Sequence, residues 1–436
     1  MILNKNPGRI IGMPTSEVYL DQKLIPNLLQ IPKNHLDNGI QAQLYLKQED
    51  ILVVHVPHIT ANLAEILLEN LKINSFIWKE LTGISINPKE VVVSYTSKDE
   101  SILSGKNRII SREGSLLSTS IQVMRQSGKS ILGFIFSSGF LEELELKKPV
   151  AAELKQQSKA TDFFMDKNLA MTFFSKSEIK IPLTYPFERK SFSISMLDKL
   201  GNGEYILKPS GGAAGLGLYP KGGIGAPISE LREHLKNLES SGLLPERFQI
   251  QEFVPGKVWG IMGLILPGRQ WKVLQIHTQQ MDHQGRFIGG RWTSSFESGK
   301  IKFAEELFSR LVNQEGFDYL GLIQFDLIGD KIIEVNPRIT ASSPICHLLS
   351  LESKIQAHRG KEFHFRQIDI NTQIQFPETP DKLRQAAQLI QKTQNESGFL
   401  ILPQGINPLG KSRVVFVNDK EDLRFQNKFL EELENL

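Results

Sequence analysis

The sequence predicts an α/β protein of more than one domain. Three observations carry that expectation. The chain has 436 residues, too many for one ordinary domain. Strand and helix signals alternate up to Pro149. Beyond it the pattern changes to strands, turns and hairpins around single helices. The composition, 40% hydrophobic and 23% charged, is an ordinary globular mixture able to bury sizeable cores. A net charge of +3 without a long basic block gives no reason to expect nucleic acid as a partner. A single cysteine, Cys346, excludes an internal disulfide and fits a reducing compartment. The opening MILNKNPGRIIGMP lacks the apolar stretch of a signal peptide, and runs such as ILGFIF are too short to span a bilayer. A cytoplasmic protein without membrane contact is expected.

The first region, 1–150, reads as a parallel α/β domain. ILVVHVP (51–57) is a continuous apolar run of buried-strand type, and TANLAEILLENLKI (60–73) follows with helical spacing. EVVVSY (90–95) and ILGFIFS (131–137) read as further strands, with a helix over 115–126 between them. The second region, 151–350, begins with the helical ATDFFMDKNLAMTFFSKSEI and the extended, proline-bearing IKIPLTYPF. It continues with the strand EYILKP, a glycine-rich run, a polar helix over 228–240 and the strand RFQIQEFV. VWGIMGLILPGRQWKVLQIHT reads as a hairpin about Pro-Gly. A helix follows over 303–314, and GLIQFDLIGDKIIEVNPR is a second hairpin turning near Gly329-Asp330. The third region, 351–436, is a small α+β extension with a helix over 380–394, the strands FLILP and RVVFV, and a charged terminal helix.

The chemistry concentrates in two segments. YILKPSGGAAGLGLYPKGG carries glycines at 211, 212, 215, 217, 222 and 223 beside Lys208 and Lys221. Glycine permits the backbone to turn several N–H groups toward one point, and an ammonium beside such a concavity makes a phosphate site. A flexible connector is the other reading of such a run. In EVNPR, Glu334 and Asn336 lie two apart on a strand and so share a face. A carboxylate and an amide oxygen, completed by phosphate oxygens and water, suit a hard cation such as Mg²⁺. On the partner strand Asp326 is the matching acid. A two-residue Gly329-Asp330 loop with regular pairing puts Asp326 opposite Ile333, on the wrong face. A three-residue loop through Lys331 puts it opposite Glu334. The metal chemistry favours the second register.

A strand ending in Lys-Pro, a glycine loop, a hinge-like QEFVPG and a hairpin ending in EVNPR occur in that order. With these motifs the sequence resembles the ATP-grasp superfamily over about Thr161 to Ser350. It is most similar to the amide-forming branch, which includes D-alanine–D-alanine ligase and the pheganomycin-type peptide ligases. The resemblance implies a pre-grasp α/β domain followed by an ATP-grasp fold of two α+β subdomains. It implies ATP and Mg²⁺ (or Mn²⁺) as cofactors. Lys167 and Lys208 would contact phosphates, and the run with Gly211, Gly212 and Gly215 would close over them. Glu252, Phe253 and Val254 would form the hinge that reads adenine. Asp326, Glu334 and Asn336 would hold the metal, Arg338 would neutralise the transferring phosphoryl group, and Arg291 would contact the acyl phosphate. Val258 stands where many members carry a ribose-binding Glu. The implied activity is a ligase that joins an acid to an amine through an acyl phosphate, with amino acids or short peptides as substrates and a homodimer allowed. A non-catalytic nucleotide-sensing module and carboxyphosphate chemistry are the alternatives.

Other motifs are weaker. The nine histidines show no zinc-binding spacing. Phe163, Phe164, Phe173 and Phe174 recur at helical spacing, as a core does. Cys346 lacks a nucleophile's context. GINPLGKS (405–412) matches a P-loop letter for letter, but a strand pattern follows it where a P-loop must open a helix. Lys411→Ala is therefore expected to change nucleotide affinity by less than about twofold, measured by titration calorimetry.

Overall fold

The apolar runs of the first region pair as a mostly parallel sheet. In the computed structural model, β1 (Arg9–Met13), β2 (Ile51–Val56), β3 (Glu90–Tyr95), β4 (Ile102–Ser104), β5 (Asn107–Ser111) and β6 (Ser130–Gly133) are ordered β4-β5-β3-β2-β1-β6. Every neighbouring pair is parallel except the β4–β5 hairpin. A strand with parallel neighbours on both sides reads as a near-continuous apolar run, as ILVVHV does apart from His55. The structure describes these six strands, residues 159–346 apart from 212–216, 223, 284–286, 294–297, 339, 341 and 343–345, and three strands within 362–418. The helices expected over 60–73, 115–126 and 380–394 and at the C-terminus lie outside the described residues, as do residues 405–411 of the P-loop match and Gly212 and Gly215.

A four-stranded antiparallel sheet follows. It comprises β7 (Thr184–Glu188), β8 (Glu204–Pro209), β9 (Ala226–Pro227) and β10 (Arg247–Glu252) in the order β7-β10-β8-β9. Helix α1 (Lys167–Lys176) precedes it, and α2 (Ile228–Ser240) lies between β9 and β10. Leu231 and Leu235, four apart on one stripe of α2, are buried with Leu207, Phe248 and Ile250 of the sheet. The α1 N-terminus is tied to the end of β8. Asp166 caps the helix by accepting from Leu169 N at 3.0 Å, Ser210 Oγ donates to the same carboxylate at 2.6 Å, and Lys167 N donates to Ser210 O at 3.0 Å.

The third sheet has eight strands, all antiparallel. They are β11 (Val258–Leu266), β12 (Gln270–Met281), β13 (Phe287–Thr293), β14 (Gly321–Ile328), β15 (Lys331–Asn336), β16 (Glu362–Ile370), β17 (Phe399–Ile401) and β18 (Ser412–Asn418), ordered β15-β14-β11-β12-β13-β16-β18-β17. The strands of the third region thus continue the sheet begun by the second, through β13–β16 pairing. Ser412, the last residue of the P-loop match, opens strand β18 and no helix. One face of the sheet buries Ile261, Ile276, Ile323, Phe325, Leu327 and Val335 under α3 (Ser298–Asn313) and the aromatic residues of α1. Phe164 and Phe174 are enclosed there; Phe163 packs edge to face on Phe164, and Phe173 on both.

At Gly263 the sheet approaches α3 without a side chain in between. A Cβ added there would lie 2.2 Å from Cζ of the buried Phe308 ring, which also stacks on Trp271. Gly263→Ala should therefore cost about 1–3 kcal/mol through overpacking. In denaturant unfolding, pairing it with Phe308→Leu should lose less than the two single changes summed.

Candidate active site

The two carboxylates of the β14–β15 hairpin meet through a bulge. Ile328 pairs with Lys331 and Leu327 with Ile332, which closes a two-residue loop, and the register then shifts so that Asp326 faces Glu334. The expected three-residue loop is thus corrected. Ile333 is the extra, unpaired residue, and it lets Ile332 and Val335 both point into the core. Asn336 faces Gln324 two rungs further on, on the same face.

Around Asp326 the amides converge. Gln324 Nε2 donates to its Oδ1 at 2.8 Å, Gln279 Nε2 to the same oxygen at 2.5 Å, and Asn336 Nδ2 to Oδ2 at 3.0 Å. Burial, and then the Glu334 charge, push the Asp326 carboxyl up to about 6. Burial would raise Glu334 as well, but Lys167, Lys208 and Arg338 outweigh it and hold that carboxyl below its usual value.

Both expected lysines reach this pair, Lys167 from the start of α1 and Lys208 from β8 of the smaller sheet. Lys167 Nζ lies 3.4 Å from Glu334 Oε1. Lys208, at 9% exposure, donates to Gln251 Oε1 at 2.7 Å and to the carbonyl of the bulged Ile333 at 3.0 Å. Burial is the main reason its pKa falls to about 8, with the Lys167 charge adding to the shift against Glu334 and Asp326. Arg338, just beyond β15, donates to Met165 Sδ at 3.0 Å and stands near enough to act on both carboxylates. Two acids and one amide remain short of a closed metal cage, and among the described residues no group of three His, Cys, Asp or Glu side chains could hold an ion. Two facing carboxylates suit Mg²⁺, which completes its shell with phosphate oxygens and water.

The hinge segment ends β10. Glu252 N donates to Leu183 O and Phe253 N to Glu204 O, both at 2.8 Å, so strand pairing takes the first two N–H groups of the expected adenine reader. The glycine run is described at its two ends. Gly211 follows Ser210 directly, and Gly222 has φ of +90° with the His283 carbonyl 2.5 Å from where a Cβ would stand. No other residue type fits that position.

Arg291 is not brought to the site. The chain of pairs Asp326–Gly260, Gly260–His277 and His277–Trp292 puts Trp292 on the carboxylate face, whereas Arg291 pairs with Thr278 on the other face. There it forms an ion pair with Glu362 at 2.9 Å. Alternation along a strand decides this, and the register needed to apply it spans three strand pairs. Cys346 is enclosed, and burial pushes its thiol pKa up, which keeps it protonated.

Residues 164–342 match the family model of the ATP-grasp domain. An N5-carboxyaminoimidazole synthase from Aspergillus clavatus, solved with ADP and 5-aminoimidazole ribonucleotide, superposes with a TM-score of 0.50 at 15% identity, covering 84% of this chain and 95% of that one. An N5-carboxyaminoimidazole ribonucleotide synthetase in its ADP complex gives 0.50 at 11% identity, over 98% and 97%. The fold is ATP-grasp. An L-amino acid ligase from Bacillus licheniformis is also similar, at a TM-score of 0.47 and 15% identity over 84% and 95%. Identities this low speak to the fold alone. No curated protein matches the sequence. No helix among the described residues is long and apolar enough to cross a membrane.

Two further polar side chains of the ATP-grasp region were not singled out by sequence. His277 and Trp292 are enclosed on the carboxylate face, at 2% and 3% exposure. Burial drives the His277 pKa down to about 4, so the imidazole stays neutral in the fold. The unfolded chain takes up its proton near pH 6.5, before the folded one does. This group's share of stability is therefore complete above about pH 6.5 and is lost as the pH falls toward 4, by about 3 kcal/mol in all. Urea unfolding between pH 7 and 4.5 should show a smaller acid loss in His277→Gln than in the parent.

Proposed function

We propose that this protein is an ATP-dependent ligase that joins a carboxylic acid to an amine, in the manner of the peptide-forming branch its motifs resemble. The observation that carries this reading is the half-buried Asp326–Glu334 pair, faced by Lys167, Lys208 and Arg338 from three separate segments. Three cations around two carboxylates leave a positive excess suited to polyphosphate. Asp326, Glu334 and Asn336 would hold Mg²⁺. Lys167 and Lys208 would bind the phosphates, exchanging their present partners for phosphate oxygens. The Val254 peptide and the neighbouring carbonyls would read the adenine, since the Glu252 and Phe253 N–H groups are engaged.

Bound here, Mg²⁺–ATP supplies the γ-phosphoryl group and neutralises its charge as it moves. The chain's own share is positioning and exclusion of water. Arg338 would balance charge on the transferring group, and the wall formed by the two sheets would hold the acid's oxygen in line. The acid's oxygen would bond to the γ-phosphorus as the bond to the ADP oxygen breaks, giving an acyl phosphate and ADP; the amine nitrogen would then bond to the acyl carbon as phosphate departs with the amine's proton.

Release of ADP that depends on an acid and an amine together, followed with paired amino acids and mass spectrometry of the product, is the expected outcome. ADP release that needs bicarbonate would point to carboxyphosphate chemistry, and nucleotide binding without turnover to a sensor. Glu334→Gln should lower turnover by about a hundredfold or more while nucleotide affinity changes far less, because the amide keeps the shape of the carboxylate without its charge. Parent-like turnover in that variant at saturating Mg²⁺ would remove the metal role from Glu334.

A further inference from the structure

We propose that Trp292, with His277, forms a subsite for a hydrogen-bond-accepting oxygen on the acid substrate. The enzyme would then take acids that carry a second carbonyl or carboxylate, such as dipeptides, N-acyl amino acids or dicarboxylates, in preference to simple apolar acids. This deepens the ligase reading above and rests on it.

The row of paired residues Glu334, Asp326, Gly260, His277 and Trp292 crosses five strands on one face of the large sheet. Neighbouring strands lie about 4.8 Å apart, so the Trp292 backbone is roughly 14 Å from that of Asp326. The row therefore leads away from the metal-binding acids by the length of a small, extended substrate. Gly260 leaves its middle bare. A Cβ there would lie 2.6 Å from His277 Cε1 and 2.9 Å from Nε2, so the imidazole leans across the glycine toward Asp326.

Among the described residues, neither ring nitrogen of His277 nor the indole Nε1 of Trp292 has a hydrogen-bond partner, although each is buried. Buried polar groups are otherwise almost always paired. Trp259 shows the ordinary case, its indole donating to Gly329 O at 2.8 Å. The Trp292 ring is fixed by stacking on Phe363, with centroids 6.1 Å apart and planes at 27°. The chemistry of the missing partner follows from what these atoms offer. An indole N–H only donates, and a neutral imidazole offers one donor and one acceptor. An ammonium group cannot satisfy the indole. A carbonyl or carboxylate oxygen accepts from the indole and from the imidazole N–H together, while the second imidazole nitrogen accepts from an amide or amine N–H of the same molecule.

The experiment uses the full chain labelled with ¹⁵N-tryptophan, whose four tryptophans give four indole signals. Trp292→Phe removes one signal and so assigns it; Trp292→Tyr serves the same purpose if the first variant does not fold. Dipeptides, N-acetyl amino acids, dicarboxylates and apolar monocarboxylates are added in turn with Mg²⁺ and a non-hydrolysable ATP analogue. Members of the first three classes should shift the Trp292 indole proton downfield, and the monocarboxylates should leave it in place. The class that shifts it decides between a carbonyl and a carboxylate. For an acid that is turned over, Trp292→Phe should raise KM for the acid about tenfold and change KM for ATP less than twofold. An indole signal that no member moves, or that apolar acids move equally, overturns the subsite whether or not ADP is released. A shift without amine-dependent ADP release keeps the subsite and instead overturns the ligase reading.

Discussion

The site depends on one irregularity, the unpaired Ile333 in β15. Regular pairing after the two-residue Gly329-Asp330 turn would carry Glu334 to the core face, where an uncompensated carboxylate is prohibitively costly. The bulge reverses the alternation, so Glu334 joins Asp326 while Ile332 and Val335 both remain in the core. It also frees the Ile333 carbonyl from the ladder, and Lys208 of the smaller sheet donates to it. One extra residue thus pairs the acids, preserves the core and ties the two sheets together at the point where they share charge.

The same arrangement explains why so much charge is tolerated out of water. Asp326 accepts from three side-chain amides, and Glu334 faces lysines, so neither acid is buried without compensation. Loss of water around the two groups displaces them in opposite directions, with Lys208 lowered to about 8 and Asp326 raised to about 6. Groups displaced in this way are poised for a ligand that brings both negative oxygens and a divalent cation.

Most of this fold was legible in the sequence, because its elements announce themselves locally. The hairpin about Pro267-Gly268, the amphipathic α2 and the apolar β2 each follow from spacing and turn chemistry. The facing acids were also legible, but by way of a longer loop than the one present. The trace of the bulge was there to read: Ile332 and Val335 are three apart, and period-two alternation cannot bury both. The meeting of Lys167 with Lys208 was legible only by resemblance. Its physical cause is long-range, since the Asp166 cap and Ser210 fasten the start of α1 to the end of β8 across some forty residues of sequence.

Arg291 and Trp292 show where sequence reasoning loses its hold. Adjacent residues of a strand face opposite ways, so only one of them can look toward the acids, and chemistry favours the arginine by type. The choice is made by register carried from β14 through β11 and β12 to β13. Irregularities occur on the way, between Met262 and Gly263 and between Gln280 and Met281. Neither falls within the rungs that link Asp326 to Trp292, and so the parity established at the acids survives intact across the sheet. The polar floor beside the paired acids is consequently built from an imidazole and an indole, while the guanidinium is held on the far side by Glu362. A surface of that kind offers directed hydrogen bonds without charge, and the positive charge is concentrated at Lys167, Lys208 and Arg338 beside the acids.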